Sequence, residues 1–260
     1  MDTILWALSG IFHPSWWGIV LYTIVMTCIA FATVTIFLHR YLAHRALDLH
    51  PVLVHFFRFS TWLLMGIITS EWPPIHRKHH AKCETVYDPH SPQTLGIKKV
   101  LLEGSELYRA EAKNPETLEK YGKNLPDDWL ERNIYAKHSY AGVIIMLLIN
   151  IALFGPIGIT VWAVQMLWSP VFAAGVINGL GHWKSWFGYR NFETKDCSMN
   201  LGNLIALITC GEGHHNNHHR FPGSAKISYT WWEFDLGWLY IRILEVLGLA
   251  RVNCIHDRRF

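Results

Sequence analysis

The charges of this 260-residue chain are confined to two blocks, and this distribution limits the possible folds more than any other feature of the sequence. Residues 1–38 contain no Lys or Arg and a single acid, Asp2, and residues 139–183 contain no charged residue. All 23 Lys and Arg therefore lie within residues 39–138 and 184–260. The average hydrophobic content of 51% conceals this partition.

The uncharged stretches predict three membrane-spanning helices. Residues 16–38 form an apolar stretch that, at about 1.5 Å per residue, crosses a hydrocarbon core of about 30 Å. A Gly-Pro-Ile-Gly turn interrupts the second stretch, so we expect two further spans, 139–155 and 158–181, joined as a hairpin. A signal peptide is the alternative for the N-terminus, but no basic segment precedes this stretch, which is longer than a typical signal core.

Three spans place the two termini on opposite sides of the membrane. Because Lys and Arg are retained on the cytoplasmic side, residues 39–138 and 182–260 are predicted to be cytoplasmic, and the N-terminus is predicted to lie on the other side. The segments 56–72 and 231–249 are expected to be interfacial helices. The predicted fold is an all-α integral membrane protein with a cytoplasmic helical cap, forming one domain over residues 1–260.

Histidine is the second unusual feature, because nine of the 16 histidines fall in four short groups. The groups are His39 and His44 (HxxxxH); His76, His79 and His80 (HxxHH); His182 with Asn178 (NxxxH); and His215, His218 and His219 (HxxHH). On a helix the three imidazoles of an HxxHH group lie within about 100° of one another, so they share a face. His39 and His44 are about 140° apart and need a helix end or a bend to converge.

Such groups indicate a metal site, since imidazole is a common ligand of Zn, Fe, Cu and Ni. Nine candidates exceed the roughly four ligands of a single zinc ion, which suggests two metals. The predicted topology places all four groups on the cytoplasmic side. A non-enzymatic metal-binding or transport protein is one alternative, but a transporter is expected to carry ionisable residues within its spans. No phosphate loop or nucleic-acid motif is present, so we expect no nucleic-acid partner.

In this order the groups resemble the membrane fatty acid desaturases, particularly the acyl-CoA and acyl-lipid Δ9 branch of bacterial type. The matching motifs are HxxxxH, HxxHH followed by Asp88-Pro89-His90, NxxxH, and GEGxHNxHH followed by Phe221-Pro222. The resemblance implies two irons ligated by the nine histidines, with Asn178 contacting one iron through water, and an acyl tunnel lined by Trp72. His214 adjoins the last group, and we assign His215 to the metal because it keeps the HxxHH spacing.

The implied activity is O2-dependent insertion of a cis double bond, at Δ9, into a saturated acyl chain carried by CoA or a membrane lipid. A di-iron hydroxylase or alkane monooxygenase is the alternative. No fused haem-binding segment of cytochrome b5 type occurs, so we expect a separate electron donor such as a ferredoxin, a rubredoxin or a cytochrome b5-type carrier. The expected location is a bacterial inner membrane, with the active site facing the cytoplasm.

Two further sets of residues are candidates for roles around the metals. Metal-bound histidines normally donate their other ring nitrogen to an acceptor, and Asp88, Asp196 and Glu212 could supply one. Six basic residues could meet an acidic head group or the electron donor: Arg40, Arg45, Lys98, Lys99, Arg109 and Lys184. Retention of positive charge on the cytoplasmic side is the alternative explanation for most of these six.

Overall fold

A computed structural model describes residues 10–11, 13–183 and 185–256, and within these residues the chain is mostly helical. A π-helical turn lies at Glu131–Tyr135 and a 3₁₀ turn at Ser185–Phe187. The helices are, in chain order, α1 (Trp16–Ala43), α2 (Pro51–Met65), α3 (Trp72–Lys82), α4 (Pro92–Leu95), α5 (Ile97–Glu111), α6 (Pro115–Tyr121), α7 (Ser139–Phe154), α8 (Ile157–Leu180), α9 (Asn203–Ile208), α10 (His215–Arg220) and α11 (Leu236–Val246).

Helix α1 is longer than the span predicted at residues 16–38. It begins after Ser15, whose hydroxyl accepts a hydrogen bond from Gly18 N at 3.2 Å. It continues to Ala43, and its second part, Thr33–Ala43, is π-helical and almost entirely buried. Among the described residues, α1 and α8 are the two helices that are long and apolar enough to cross a membrane.

Helices α7 and α8 form the predicted hairpin. Gly155 ends α7 with a φ of 65°, a conformation that favours glycine. Gly158 lets the backbones approach closely, since a Cβ there would lie 2.1 Å from Asn150 O. Helix α7 has 16 residues and is therefore about 24 Å long, shorter than a hydrocarbon core of about 30 Å. Of the three predicted spans, α7 is thus the one that falls short by length.

The second half of α8, Pro170–Leu180, is π-helical and packs along α5. The two helices come close because Gly104 of α5 faces Ala174, and a Cβ on Gly104 would lie 2.8 Å from the Ala174 Cβ. Helix α3 packs against α1 and α5. The ends of α1 and α8 are in this way gathered around α3, which carries the first HxxHH group.

The structure differs from the predictions at three places. In the segment predicted as a helix over 56–72, α2 ends at Met65 and α3 begins only at Trp72. The chain is not wholly helical, because β1 (Leu47–Leu49) pairs antiparallel with β2 (Ala250–Val252). In the segment predicted as a helix over 231–249, α11 begins only at Leu236, since Asp235 caps it by accepting a hydrogen bond from Trp238 N at 2.8 Å.

The main hydrophobic core lies beside the π-helical part of α1. Phe37 and Leu38 are fully buried there and belong to one cluster with Phe57 of α2 and Ile241 of α11. Burial of a side chain of this size stabilises a fold by about 2 kcal/mol. The core therefore fixes the end of α1, which carries His39, against α2 and the C-terminal segments.

Candidate metal centre

The two HxxHH groups lie on α3 and α10, and each of them contributes histidines to both of two clusters. In each group, the first and last histidines belong to one cluster and the middle histidine to the other. The five-histidine cluster contains His39, His44, His76, His80 and His218, and the four-histidine cluster contains His79, His182, His215 and His219.

The five-histidine cluster is tightly convergent. One ring nitrogen of each residue lies within 4.8 Å of the corresponding nitrogens of the others. The shortest Nε2–Nε2 separations are 2.9 Å for His44–His76, 2.9 Å for His80–His218 and 3.0 Å for His39–His218. His39, His76 and His218 are buried, and the other two are half-buried.

In the four-histidine cluster, His182 occupies the centre. Its Nε2 lies 2.9 Å from His215 Nε2 and 3.2 Å from His219 Nε2. His79 joins from α3, with its ring centroid 4.9 Å from that of His182 and 5.2 Å from that of His219. The structure thus brings together all nine histidines that the sequence singled out.

His39 and His44 converge at the end of α1, which is one of the two predicted possibilities. They lie in and directly after the π-helical part of α1, and His44 N donates to His39 O at 3.0 Å, an i→i+5 hydrogen bond. Residues five apart therefore lie one above the other, and the two ring centroids are 4.8 Å apart. His44 caps the helix, so the pair meets at a helix end as predicted, and the π-helical pitch, which was not predicted, aligns the two rings.

Four carboxylates contact the outer ring nitrogen, Nδ1, of cluster histidines. The pairs are His39–Glu212 (2.8 Å), His79–Asp88 (3.0 Å), His219–Asp196 (3.0 Å) and His182–Glu84 (3.3 Å). Three of these acids are the ones suggested by the sequence. Glu84 was missed; it lies in the loop after α3 with a φ of 60°, and no motif marks it.

These contacts test whether the clusters suit metal ions. A carboxylate accepts the Nδ1 proton, so Nε2 of the same ring carries a lone pair. His182 and His219 are both fixed in this way, yet their Nε2 atoms face each other at 3.2 Å, where two acceptors cannot form a hydrogen bond. Two nitrogens bound at 90° to one ion, with bonds of about 2.1 Å, lie about 3.0 Å apart. The clusters are therefore able to hold metal ions.

Burial also favours the neutral form of seven of the ligand candidates. It is the main cause of a lowered pKa at His44, His76, His80, His182, His215, His218 and His219. Burial alone would raise the pKa of Asp88, but the contact with His79 outweighs it and holds this pKa well below its usual range. Neutral imidazoles with ionised outer partners are the form that binds a cation.

We expect the metal-free protein to lose stability as the pH falls from 7.5 to 5. The folded-state pKa values of the buried histidines lie below the unfolded value of about 6.5, so the unfolded chain binds more protons below that pH. Each such group costs about 1.4 kcal/mol per pH unit once the pH is below its unfolded pKa. Thermal melting of the metal-free protein across this range measures the effect, and a constant melting temperature would contradict it.

Two neighbours of the clusters differ in their relation to them, because His214 joins neither cluster and Cys83 lies against the four-histidine cluster. His214 is buried, but its Nε2 donates to Phe234 O at 3.1 Å and so points away from both clusters. The Cys83 Sγ lies 3.9 Å from His79 Nε2 and 3.8 Å from His182 Nδ1, a position that the sequence did not suggest. Burial raises the pKa of Cys83, and its sulfur is a further candidate ligand beside His79, His182 and His219.

A cavity of about 420 Å³ adjoins both clusters. His39 and His76 of the five-histidine cluster and His215 of the four-histidine cluster line it, and most of its other lining side chains are apolar. Trp72 and Asn178 also line this cavity. The Trp72 ring stacks on the His76 ring with centroids 5.0 Å apart. The cavity offers an apolar molecule direct access to both clusters.

The six basic residues suggested as contacts for a head group or an electron donor do not all face the cavity. Arg40 is fully buried and pairs with Asp235 at 2.9 Å, so it is unavailable to a head group or an electron donor. Arg109 is exposed and lines the cavity. The three other described candidates, Arg45, Lys98 and Lys99, are exposed. Lys184 lies outside the described residues.

The sequence is similar to a known protein family and to several of its members. Residues 14–242 match the family model described as fatty acid desaturase. An acyl-CoA 5-desaturase of Anemone leveillei is 31% identical over 94% of this chain and 78% of its own length. The Delta-9 acyl-lipid desaturase 1 of Arabidopsis thaliana is 30% identical over 84% of this chain and 69% of its own length. The sn-1 stearoyl-lipid 9-desaturase of Synechocystis sp. is 30% identical over 84% of this chain and 66% of its own length.

The matched region contains all four histidine groups and their four carboxylates. Membership of this family implies a fatty acyl substrate, O2 and a di-iron centre, and the two histidine clusters are consistent with that centre. The chain therefore belongs to the fatty acid desaturase family and is an O2-dependent oxidoreductase.

Proposed function

We propose that this chain is an integral membrane desaturase that uses two irons to insert a cis double bond, at Δ9, into a saturated fatty acyl chain. The observation that carries this proposal is the position of two histidine clusters on the wall of one largely apolar cavity. Two of the relatives named above are described as 9-desaturases and one as a 5-desaturase. The position of the double bond is therefore part of the test.

The five-histidine cluster would hold one iron and the four-histidine cluster the other, with Asn178 contacting one of them through water. The balance of charge supports two divalent ions. Neutral imidazoles contribute no charge, and the four carboxylates at the outer nitrogens contribute −4, which two divalent cations offset. When bound, the irons activate O2 and supply an oxidising power that no side chain has.

The protein's own residues bind and orient the reactants. The cavity would hold the acyl chain away from water, with Trp72 shaping its wall beside His76. The carboxylates fix the imidazole rings. Overall, a –CH2–CH2– pair, O2, two electrons and two protons become –CH=CH– and two waters. The electrons would come from a separate ferredoxin, rubredoxin or cytochrome b5-type carrier.

Exposed apolar side chains support three membrane spans. Leu21 of α1, Leu148 of α7 and Leu167 of α8 are each about 60% exposed. Large apolar surfaces of this kind are unfavourable in water and favourable in a membrane. The same exposure on α7 favours a crossing despite its 16 residues. We place residues 39–138 and 182–260 in the cytoplasm of a bacterial cell as parts of one domain, with the N-terminus across the inner membrane.

Expression in a host that lacks its own desaturase tests the proposal. Analysis of the host lipids by mass spectrometry should show monounsaturated chains with a cis Δ9 bond. Acyl-CoA and intact membrane lipid, offered separately to the purified protein, would distinguish the two head groups. A hydroxylated chain as the main product would instead favour the hydroxylase or monooxygenase alternative. Saturated lipids only, from a protein loaded with two irons, would contradict the proposal.

Replacing Asp88 by asparagine is expected to weaken iron binding without unfolding the protein. Asn keeps the volume but removes the charge that holds the His79 Nδ1 proton. Loss of such an outer partner typically lowers metal affinity about 10–100-fold. Iron retained under competition with a chelator measures this. Asp48→Asn is the matched control, since Asp48 pairs with the exposed Arg251 on the surface, and equal retention in both variants would contradict the assigned role.

A further inference from the structure

Helix α10 is too short to hold its own position. It has six residues, His215–Arg220, and its N-cap residue, His214, makes no side-chain capping hydrogen bond. A helix of this length is stable in water only when other parts of the protein hold it. Its position matters for both clusters, because it places His218 in the five-histidine cluster and His215 and His219 in the four-histidine cluster.

Asn200 caps α10 from an earlier part of the chain. Its Oδ1 accepts hydrogen bonds from Asn216 N at 2.9 Å and from Asn217 N at 3.2 Å. These are two of the N–H groups that the first turn of a helix leaves without an internal partner. The backbone of Asn200 forms β-bridges with Tyr189 and His214. The cap is therefore tied both to the loop before it and to the residue that precedes α10.

The side chains of Asn216 and Asn217 bind the same loop. Asn216 Oδ1 accepts from Asn191 N and Phe192 N, both at 2.9 Å, and Asn216 Nδ2 donates to Phe192 O at 3.0 Å. Asn217 Oδ1 accepts from Asn191 Nδ2 at 2.8 Å and Asn200 Nδ2 at 3.0 Å. Both asparagines are buried. The two residues of this HxxHH group that are not histidines thus hold the helix in place.

Glu233 joins this network through one carboxylate that accepts five hydrogen bonds. The donors are Tyr189 Oη (2.6 Å) and Asn191 Nδ2 (2.7 Å) at Oε1, and Asn217 Nδ2 (2.8 Å), Tyr229 N (2.6 Å) and Thr230 N (3.0 Å) at Oε2. All five donors are uncharged, and Glu233 is 7% exposed. An ionised carboxylate accepts on both oxygens and donates on neither, so it suits a position where donors converge from two sides.

We propose that Glu233 is a positioning residue for both metal sites, because it fixes Asn217 and, through it, the helix that supplies ligands to each cluster. The four carboxylates at the outer nitrogens differ in this respect, since each of them contacts the ring of one cluster histidine. Glu233 belongs to none of the histidine groups in the sequence. The inference rests on the di-iron centre of the proposed function, but not on the reaction or the substrate.

Two variants and a matched control separate this role from general stability. Glu233→Ala removes the acceptor of all five donors. Glu233→Gln keeps the volume, but its NH2 group then faces donors instead of accepting from them. The control is Glu131→Gln, because Glu131 is a second buried carboxylate, pairs with Arg58 at 3.0 Å and lies in the π-helical turn before α7. We expect the melting temperature to fall in all three variants.

Hydrogen exchange of the purified full-length chain, followed by mass spectrometry, is the first readout and needs neither iron nor activity. Peptides covering residues 214–220 should exchange about tenfold faster in Glu233→Ala than in the unaltered protein, the factor expected when a buried donor loses its acceptor. Glu131→Gln should leave the exchange of these residues unchanged. Unchanged exchange over 214–220 in Glu233→Ala would overturn the inference.

Mössbauer spectra of the protein loaded with ⁵⁷Fe give the second readout. Because α10 supplies ligands to both clusters, Glu233→Gln should change the quadrupole splitting of both irons. Glu233→Ala should in addition lower the retention of both irons against a chelator about tenfold. Asp88→Asn should alter one iron only, and Glu131→Gln neither. A lower melting temperature with unchanged spectra would show that Glu233 serves stability alone, and a change at one iron would also contradict the proposal.

A double variant tests the connection through Asn217. Asn217→Ala removes the amide that Glu233 holds, so Glu233→Ala should cause little further loss of iron in that background. Additive losses would show that Glu233 does not act through Asn217. If the unaltered protein retains no iron, the proposed di-iron function fails, and the exchange of residues 214–220 alone then decides whether Glu233 positions α10.

Discussion

His215→Gln is expected to lose one of the two irons and to reduce desaturation by a factor on the order of 10³ or more. His215 Nε2 lies 2.9 Å from His182 Nε2, at the point where the four-histidine cluster converges. Glutamine keeps much of the volume but offers a weak amide oxygen in place of an imidazole lone pair. Iron per chain, measured on the purified protein, and product formation in the desaturase-deficient host test this result.

The adjacent residue provides a matched control with the same substitution. His214→Gln should keep two irons and most of the activity, because the glutamine amide can still donate to Phe234 O as His214 Nε2 does. The pair is informative because either histidine could start the last group by proximity alone. Loss of iron from His214→Gln and retention in His215→Gln would show that the cluster uses the other register.

The histidines of the two clusters could be predicted from the sequence, because residues at i, i+3 and i+4 of one helix share a face. The division into two clusters could not. Within an HxxHH group the last two histidines lie about 100° apart on the helix, so one face can serve two ions. Only the arrangement of α3 and α10 directs His79 to the four-histidine cluster and His218 to the five-histidine cluster.

The end of α1 is a second feature that could not be predicted from the local sequence. A charged residue normally marks the point where a membrane helix leaves the apolar layer, so Arg40 argued for an end at Leu38. In the structure Arg40 is 1% exposed, because Asp235, 195 residues further along the chain, neutralises it. The π-helix that aligns His39 with His44 passes through the same position. Neither the distant partner nor the change of helical pitch leaves a local signal.

Replacing Arg40 by methionine is therefore expected to destabilise the protein by about 3–5 kcal/mol, the usual cost of leaving one member of a buried ion pair unpaired. Arg40 binds Asp235 through two nitrogens, at 2.9 and 3.1 Å, and also donates to Ala225 O and Cys210 O. Without the arginine, the Asp235 carboxylate keeps only the backbone N–H groups of Ile227 and Trp238 as donors. Thermal or denaturant unfolding in detergent measures the loss.

Two further variants separate the buried charge from other effects. Arg251→Met removes an arginine from the exposed pair with Asp48 and should cost less than about 1 kcal/mol. Arg40→Met combined with Asp235→Asn removes both buried charges but keeps an oxygen to cap α11, so it should recover most of the stability lost in Arg40→Met. If the double variant is no more stable than Arg40→Met, the loss comes from packing around the methionine. A full recovery would mean that this ion pair fixes the end of α1, and with it His39, rather than adding net stability.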